Sequence, residues 1–309
     1  MAAGEAARDR LVGVDLGGTK ISAVVLDSTG SELARRRIAT PRDDYAATLA
    51  AIVRLVTDVE SAAGCTPDKA RPVGIGTPGS LVPATGLVQN ANSVWLNGNP
   101  LLRDLEAALG RRVRIANDAD CLALSECADG AANGLDNVFA AILGTGVGGG
   151  LVIGGRLVAG PLGIAGEWGH TPLPWSRPDE YPGPRCWCGR TGCIEAWLSG
   201  PALARDHAAE SGELSDAMAI ARADTPARAA SMERYLSRLA RALAALVNIV
   251  DPQAIVLGGG LSNVVALCER LPALVAPHVF SDAPRVRIIR AAHGDDSGVR
   301  GAARLWSRT

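Results

Sequence analysis

The chain has 309 residues, 48% of them apolar and 4% aromatic, with 31 basic against 32 acidic side chains. That length supports a large buried core and roughly two domains, while a formal charge of −1 leaves no excess positive field for a nucleic-acid backbone or an anionic membrane. The expected partner is therefore a small molecule, with no nucleic acid and no membrane. The charged opening MAAGEAARDR lacks the apolar core of a signal peptide, so the expected location is cytoplasmic.

In chain order, RLVGVDLGGTKISAVVLDSTGSELARRRIAT alternates short apolar runs with glycine turns and predicts three antiparallel strands from Leu11 to Ile38. A helix from Tyr45 to Ala63 follows, then a buried strand in PVGIGTPGS and a helix in PLLRDLEAALG stopped by Gly110. RVRIANDADCLALSECADG reads as a strand to Ile115, a polar corner and a helix begun by that corner. The uncharged run NVFAAILGTGVGGGLVIGG carries seven glycines, so it reads as strand, tight turn, strand rather than as a membrane span. It repeats the design of the first hairpin and suggests two similar halves.

Between His170 and Cys186 five prolines exclude a helix or a central strand, so something other than a backbone ladder must hold that loop. Leu236, Leu239, Leu243, Leu246, Val247 and Val250 recur at helical spacing and predict a core-facing helix from Ala227 to Ile249. AIVLGGGLSN is strand, glycine turn, helix, and GVRGAARLW closes the chain as a helix.

Three glycine turns carry the first chemical signal. In GVDLGGTK a strand delivers Asp15, and Gly17 and Gly18 let the backbone N–H groups and the Thr19 hydroxyl face a phosphate, with Lys20 beside them. The Walker spacing is absent, and the same residues suit a plain hairpin. LGTGVGGG repeats the idea around Gly144, Thr145 and Gly146, and LGGG leads through Gly259 and Gly260 into a helix whose N-terminus suits an anion. Together the three turns favour a nucleoside triphosphate. In IANDADCLAL, Asn117 and Asp118 fit either a helix cap or a general base that takes a proton from a sugar hydroxyl.

The densest signal is RCWCGRTGC. With His170 it supplies one imidazole and three thiolates, Cys186, Cys188 and Cys193, a set suited to a closed, structural Zn2+ site that would cross-link the proline-rich loop. Glu167 and Glu195 flank these ligands, where fixed carboxylates could accept hydrogen bonds from sugar hydroxyls. Cys65, Cys121, Cys127 and Cys268 are scattered and read as reduced, buried apolar residues.

In this order, DLGGTK, GIGTPG, ANDAD, GTGVGGG, GEWGH and CWCGRTGCIE resemble the ROK family of bacterial sugar kinases over essentially the whole chain. The resemblance implies an α/β, actin-like ATPase fold of ribonuclease-H-like topology. Its two α/β domains would flank a cleft that closes on the sugar, with residues 1–117 plus about 296–309 in one and 118–295 in the other. Within the family TPRDDY, NANSVWLNGNP, GEWGHTPLPW and HGDDSGVRGAARLW are most similar to fructokinases that also accept mannose, which implies ATP-dependent phosphorylation of D-fructose. N-acetylglucosamine kinase or glucokinase is the alternative. A sugar-responsive repressor of the same family would carry a helix-turn-helix ahead of the first strand, and that strand begins near Leu11.

Carried onto this sequence, the resemblance makes Asp118 the base, with Gly79, Asn92, Asn117, Glu167, His170 and Glu195 at the sugar. Gly17, Gly18, Thr19, Lys20, Gly144, Thr145 and Gly146 would face ATP phosphates, and Gly259 and Gly260 the adenosine. Asp15 would stand near Mg2+ through water, His170 would serve both zinc and sugar, and the protein would be a homodimer. Asp120 stands where the family usually has asparagine, and a helix-surface position for it is expected.

Overall fold

The computed structural model describes residues 10–65 and 71–307. The chain forms two compact units. The first comprises the described residues of Met1–Gly134, Gly155–Ala165 and Asp295–Thr309; the second comprises Leu135–Gly154 and Gly166–Gly294.

In the first unit, β1 (Leu11–Leu16), β2 (Lys20–Leu26) and β3 (Glu32–Ala39) form the expected antiparallel meander. The remaining strands, β4 (Val73–Thr77) and β7 (Val113–Asn117), complete a sheet of order β3-β2-β1-β4-β7. Because β1, β4 and β7 run parallel, with Asp15 opposite Gly76 and Thr77 opposite Asn117, their C-terminal ends share one edge. In α/β sheets that edge is where ligands gather. The short ribbon β5 (Ser80–Leu81) and β6 (Val88–Gln89) follows β4, and strand β10 (Arg156–Leu157) also belongs to this unit.

Helix α1 (Tyr45–Ala62) starts where the Asp44 side chain accepts the Ala47 N–H, and its apolar stripe, Ala51, Ile52, Leu55, Val56 and Val59, is buried against the sheet. Helix α2 (Leu101–Leu109) stops at Gly110, whose φ of 64° closes it in the left-handed conformation.

Helix α3 (Asp118–Asp129) belongs to the first unit, which corrects the expected start of the second domain at Asp118. The cause is the terminal helix α9 (Ser297–Arg304). A Cβ on Gly301 would stand 1.7 Å from the Cys121 carbonyl oxygen, so the two backbones touch through that glycine. Ser297 Oγ donates to Glu126 Oε1 at 2.9 Å, and Arg300 and Arg304 each reach Asp129 at 2.8 Å.

The second unit contributes four neighbouring strands of a five-stranded sheet, in the order β9-β8-β11-β12, with β8 (Val138–Leu143), β9 (Val147–Ile153), β11 (Ala254–Gly258) and β12 (Ile288–Arg290). Strands β8 and β9 are an antiparallel hairpin, and β11 runs parallel to β8, so the turns after β8 and β11 lie together. Helices α4 (Ile194–Leu198), α5 (Gly200–Ser211), α6 (Ala217–Ala221), α7 (Pro226–Val250) and α8 (Val265–Val275) complete the unit. Helix α7 buries Leu236, Leu239, Leu243 and Val247 as its spacing predicts. No helix among the described residues is long and apolar enough to cross a membrane.

The proline-rich loop is held by more than its cysteines. Arg241 of α7 donates to the Trp175 carbonyl at 2.7 Å and to Glu180 Oε1 at 2.7 Å, and Arg238 donates to the same Glu180 oxygen at 3.1 Å while stacking on Trp197. Glu180 and both arginines are buried. Of the scattered cysteines, Cys121 is fully buried, whereas Cys65, Cys127 and Cys268 are half-buried; all are free thiols.

Candidate active site

The first hairpin is shaped by its carbonyls. Gly17 N–H closes the turn onto the Lys20 carbonyl at 3.0 Å. The Gly17 carbonyl accepts from Thr40 Oγ1 at 2.7 Å, that of Gly18 from Arg42 Nε at 3.1 Å, and that of Thr19 from Thr40 N–H at 3.1 Å. Three successive acceptors are thus occupied by donors from the end of β3 and the residues after it, which removes their repulsion for an anion at the turn. Thr40 and Arg42 are not legible as site residues in the sequence.

Asp15 lies at the end of β1, opposite Ser22 of β2, which is opposite Arg37 of β3. Burial, then the charge of Asp118, raises its carboxyl to about 6, against the opposing pull of Lys20 and Arg37. The structure therefore brings Asp15, Lys20 and Asp118 to one edge of the first sheet. Asp118 is exposed at the first position of α3, and its Oδ1 accepts the Ala119 N–H at 2.8 Å.

Asn117 caps α3, its Oδ1 accepting the same N–H at 2.9 Å, while its Nδ2 donates to the Gly79 carbonyl at 2.9 Å. The capping reading of Asn117 is thus realised, and its amide also ties the Gly79 turn to the edge that carries Asp118. Gly79 has φ 72°, and a Cβ there would meet the Gln89 carbonyl at 2.3 Å, so only glycine fits. Asn92 is exposed on the following loop, which Asn97 braces by accepting the Ala91 N–H and donating to the Ala91 carbonyl, both at 2.9 Å. Asp120 is half-buried, not on the helix surface as expected, and its charge helps to raise the fully buried Cys121 thiol, after burial itself.

In the second unit, Gly144 and Gly146 flank the exposed Thr145 at the β8–β9 turn, and Gly259 and Gly260 follow β11. The two glycine turns meet: a Cβ on Gly259 would lie 2.5 Å from the Leu143 carbonyl oxygen. Glu195, in the first turn of α4, is committed to the same turn, because its Oε2 accepts the Val147 N–H at 2.9 Å. Its Oε1 accepts the indole N–H of Trp187. Glu195 is expected from sequence to accept hydrogen bonds from sugar hydroxyls; each of its oxygens already holds one donor, so the remaining lone pairs are fixed in direction. Glu167 is half-buried, and burial, reinforced by Glu195 and opposed by His170, raises its carboxyl above the usual range.

The ligand atoms of His170, Cys186, Cys188 and Cys193 all lie within 4.8 Å of one another. Cys188 Sγ to Cys193 Sγ and Cys186 Sγ to His170 Nδ1 are both 3.7 Å. Tetrahedral zinc with ordinary Zn–S and Zn–N bonds sets such edges at about 3.8 and about 3.6 Å, so the donor set fits that ion. It is Nδ1 of His170 that faces the thiols. The residue that sequence reasoning misses here is Trp187, whose ring stands edge-on to His170 at 5.1 Å between centroids; its signal is its place between two cysteines that draw attention only for their sulfurs.

The chain matches the model of a family described as the ROK family over residues 11–309. It is 40% identical over 300 residues to an N-acetyl-D-glucosamine kinase of Photobacterium profundum, covering 95% of this chain and 98% of that protein. It is 42% identical over 301 residues to an N-acetyl-D-glucosamine kinase of Escherichia coli, with the same coverage. Among solved structures, a ROK hexokinase from Thermus thermophilus aligns with a TM-score of 0.82 at 34% identity, over 95% of this chain and 96% of that one. A ROK family glucokinase from Streptomyces griseus, solved with glucose and AMPPNP, aligns with a TM-score of 0.77 at 30% identity, over 96% and 98%. The curated relatives bear the name of the alternative sugar rather than of fructose.

Proposed function

The chain belongs to the ROK family and has its actin-like ATPase fold, and from that premise we propose that it is an ATP-dependent sugar kinase whose substrate is N-acetyl-D-glucosamine. The observation that carries the choice of sugar is the 40–42% identity, over nearly the full length, to kinases named for it. This replaces the fructokinase reading of the sequence.

Asp118 acts as the base. It accepts the proton of a sugar hydroxyl as that oxygen bonds to the γ-phosphorus; the bond from phosphorus to the β,γ-bridging oxygen breaks, and ADP leaves. The hydrogen bond from Ala119 N–H supports this role by fixing the direction of the Asp118 carboxylate. The tethered hairpin at Gly17, Gly18 and Thr19, with Lys20, holds donor phosphates, and the β8–β9 turn at Gly144, Thr145 and Gly146 does the same. Gly259 and Gly260 lie against the adenosine.

Gly79, Asn92, Asn117, Glu167, His170 and Glu195 orient sugar hydroxyls. Asp15 would hold Mg2+ through water, and the ion would supply charge neutralisation at the phosphates. His170, Cys186, Cys188 and Cys193 would hold Zn2+ in a structural role, because four protein ligands would leave no open position; since Nδ1 of His170 faces the thiols, Nε2 would be left for the sugar.

The test is ADP release with ATP and Mg2+ over N-acetylglucosamine, glucose, mannose and fructose. N-acetylglucosamine is expected to lead in kcat/KM by about tenfold or more, equivalent to about 1.4 kcal/mol of transition-state discrimination. A lead for fructose would reinstate the other reading.

A further inference from the structure

Trp187 combines two properties that seldom coexist. Its side chain is 66% exposed, yet its indole is committed at both its polar and its apolar parts. The N–H donates to Glu195 Oε1, and the ring stands perpendicular to His170, with an interplanar angle of 88°. An exposed tryptophan with no task would turn freely in solvent; this one is held by two residues of the proposed sugar site. Glu195 in turn accepts the Val147 N–H of the β8–β9 turn on its other oxygen at 2.9 Å. A continuous chain thus runs from Trp187 through Glu195 to the turn proposed to face ATP phosphates.

Resting on the sugar-kinase reading, we propose that Trp187 is a positioning and specificity-determining residue for the sugar. Its N–H fixes the direction of the Glu195 carboxylate, and its exposed ring supplies the apolar wall against which an N-acyl substituent of the sugar packs. The second half follows from chemistry. The neighbours of the ring, Glu195 and His170, are polar and satisfy hydroxyls, whereas an acetamido methyl group needs an apolar surface that neither can give. A hydroxyl at the same position gains nothing from the ring, so the wall separates an N-acetyl sugar from its parent hexose.

The two roles come apart in two variants. In Trp187→Phe the ring stays and the N–H is lost: kcat/KM is expected to fall about tenfold for N-acetylglucosamine and glucose alike, as for a lost hydrogen bond to a charged group, with the ratio between the sugars kept. In Trp187→Ala the wall goes too, and the ratio is expected to fall by about fourfold or more, the worth of one buried methyl group, chiefly through KM for the N-acetyl sugar.

Zinc content and thermal midpoint, measured on both variants, are expected to match the parent, because the side chain is exposed and supplies no ligand. Loss of zinc with an unchanged sugar ratio would assign Trp187 a purely structural role and overturn the inference. Parent-like kcat/KM for both sugars in Trp187→Ala would also overturn it, while leaving the kinase reading intact. A parent protein that phosphorylates fructose or mannose but neither of these two sugars would overturn this inference alone, and one that phosphorylates none of the four would overturn the kinase reading as well.

Discussion

Replacing Glu180 by Gln tests what holds the proline-rich loop. Glu180 is 5% exposed, between Arg241 at 3% and Arg238 at 6%. Burial by itself would raise its carboxyl, but hydrogen bonds from Arg241, the Arg177 N–H and Arg238 outweigh burial and depress it to about 2 from an ordinary 4.5. At about 1.4 kcal/mol per pH unit, that difference amounts to about 3 kcal/mol of folding stability. Since the folded value is the depressed one, this stability is present above pH 4.5 and is lost as pH falls toward 2. The magnitude agrees with the roughly 3–5 kcal/mol for breaking a buried ion pair.

In Glu180→Gln, Arg238 keeps Asp206 at 2.7 Å, whereas Arg241 falls back on the neutral carbonyls of Pro174, Trp175 and Ser237. The unfolding transition of the second unit should fall by roughly 6–12 °C, read by calorimetry, with a lower urea midpoint at an unchanged m-value. A loss below about 1 kcal/mol, the range of a surface pair, would refute the reasoning. So would failure of the double variant Glu180→Leu/Arg241→Met to recover most of the loss, because an apolar pair of similar volume should restore it.

Asp118→Asn should lower kcat by about 10²–10⁴-fold, the usual worth of a general base, with the sugar dissociation constant from calorimetry nearly unchanged; retained turnover would remove Asp118 from that role. Asp15, raised to about 6 by burial and by Asp118, should give kcat/KM an acidic limb near pH 6, and Asp15→Asn should abolish that limb. The same raised value favours the folded state below pH 3.8 and is lost as pH rises through about 6, so Asp15→Asn should flatten stability across that window. Cys188→Ala should drop zinc from one ion per chain to a minor fraction by elemental analysis; an unchanged zinc content would reject the ligand set.

What the sequence discloses and what it hides divide along sequence distance. The hairpin at Gly17, the cap at Asn117, the stop at Gly110 and the stripe of α7 are local patterns, set by backbone freedom, capping and periodicity. The Arg241–Glu180 bond spans 61 positions, and an arginine on a helix reads as a solvated face. The assignment of α3 turns on contacts with α9 such as Arg300 to Asp129, 171 positions apart, which no window reports. Glu195 shows the intermediate case. The residue is visible in CIE, but not that Val147 and Trp187 take one lone pair on each oxygen.

The stretches that suggest fructose explain themselves by packing. In NSVWLNG, Asn97 brackets Ala91 with both halves of its amide, Trp95 donates to Thr48 Oγ1 at 3.3 Å and Leu96 is wholly buried, while the following Asn99 donates to the Trp95 carbonyl at 3.0 Å. In HTPLPW, Leu173 lies in the core, Trp175 stacks on His278, and the Pro174 and Trp175 carbonyls receive Arg241. These side chains set the shape of two loops, and a loop shape is compatible with several hexoses. Under the proposed function, the choice of sugar would fall instead to the exposed Asn92, the Glu195 carboxylate, the His170 ring nitrogen turned away from the thiols and the face of Trp187. None of these enters the resemblance to fructokinases except as a residue type, so identity along the whole chain is the better guide to the substrate than likeness in those two loops.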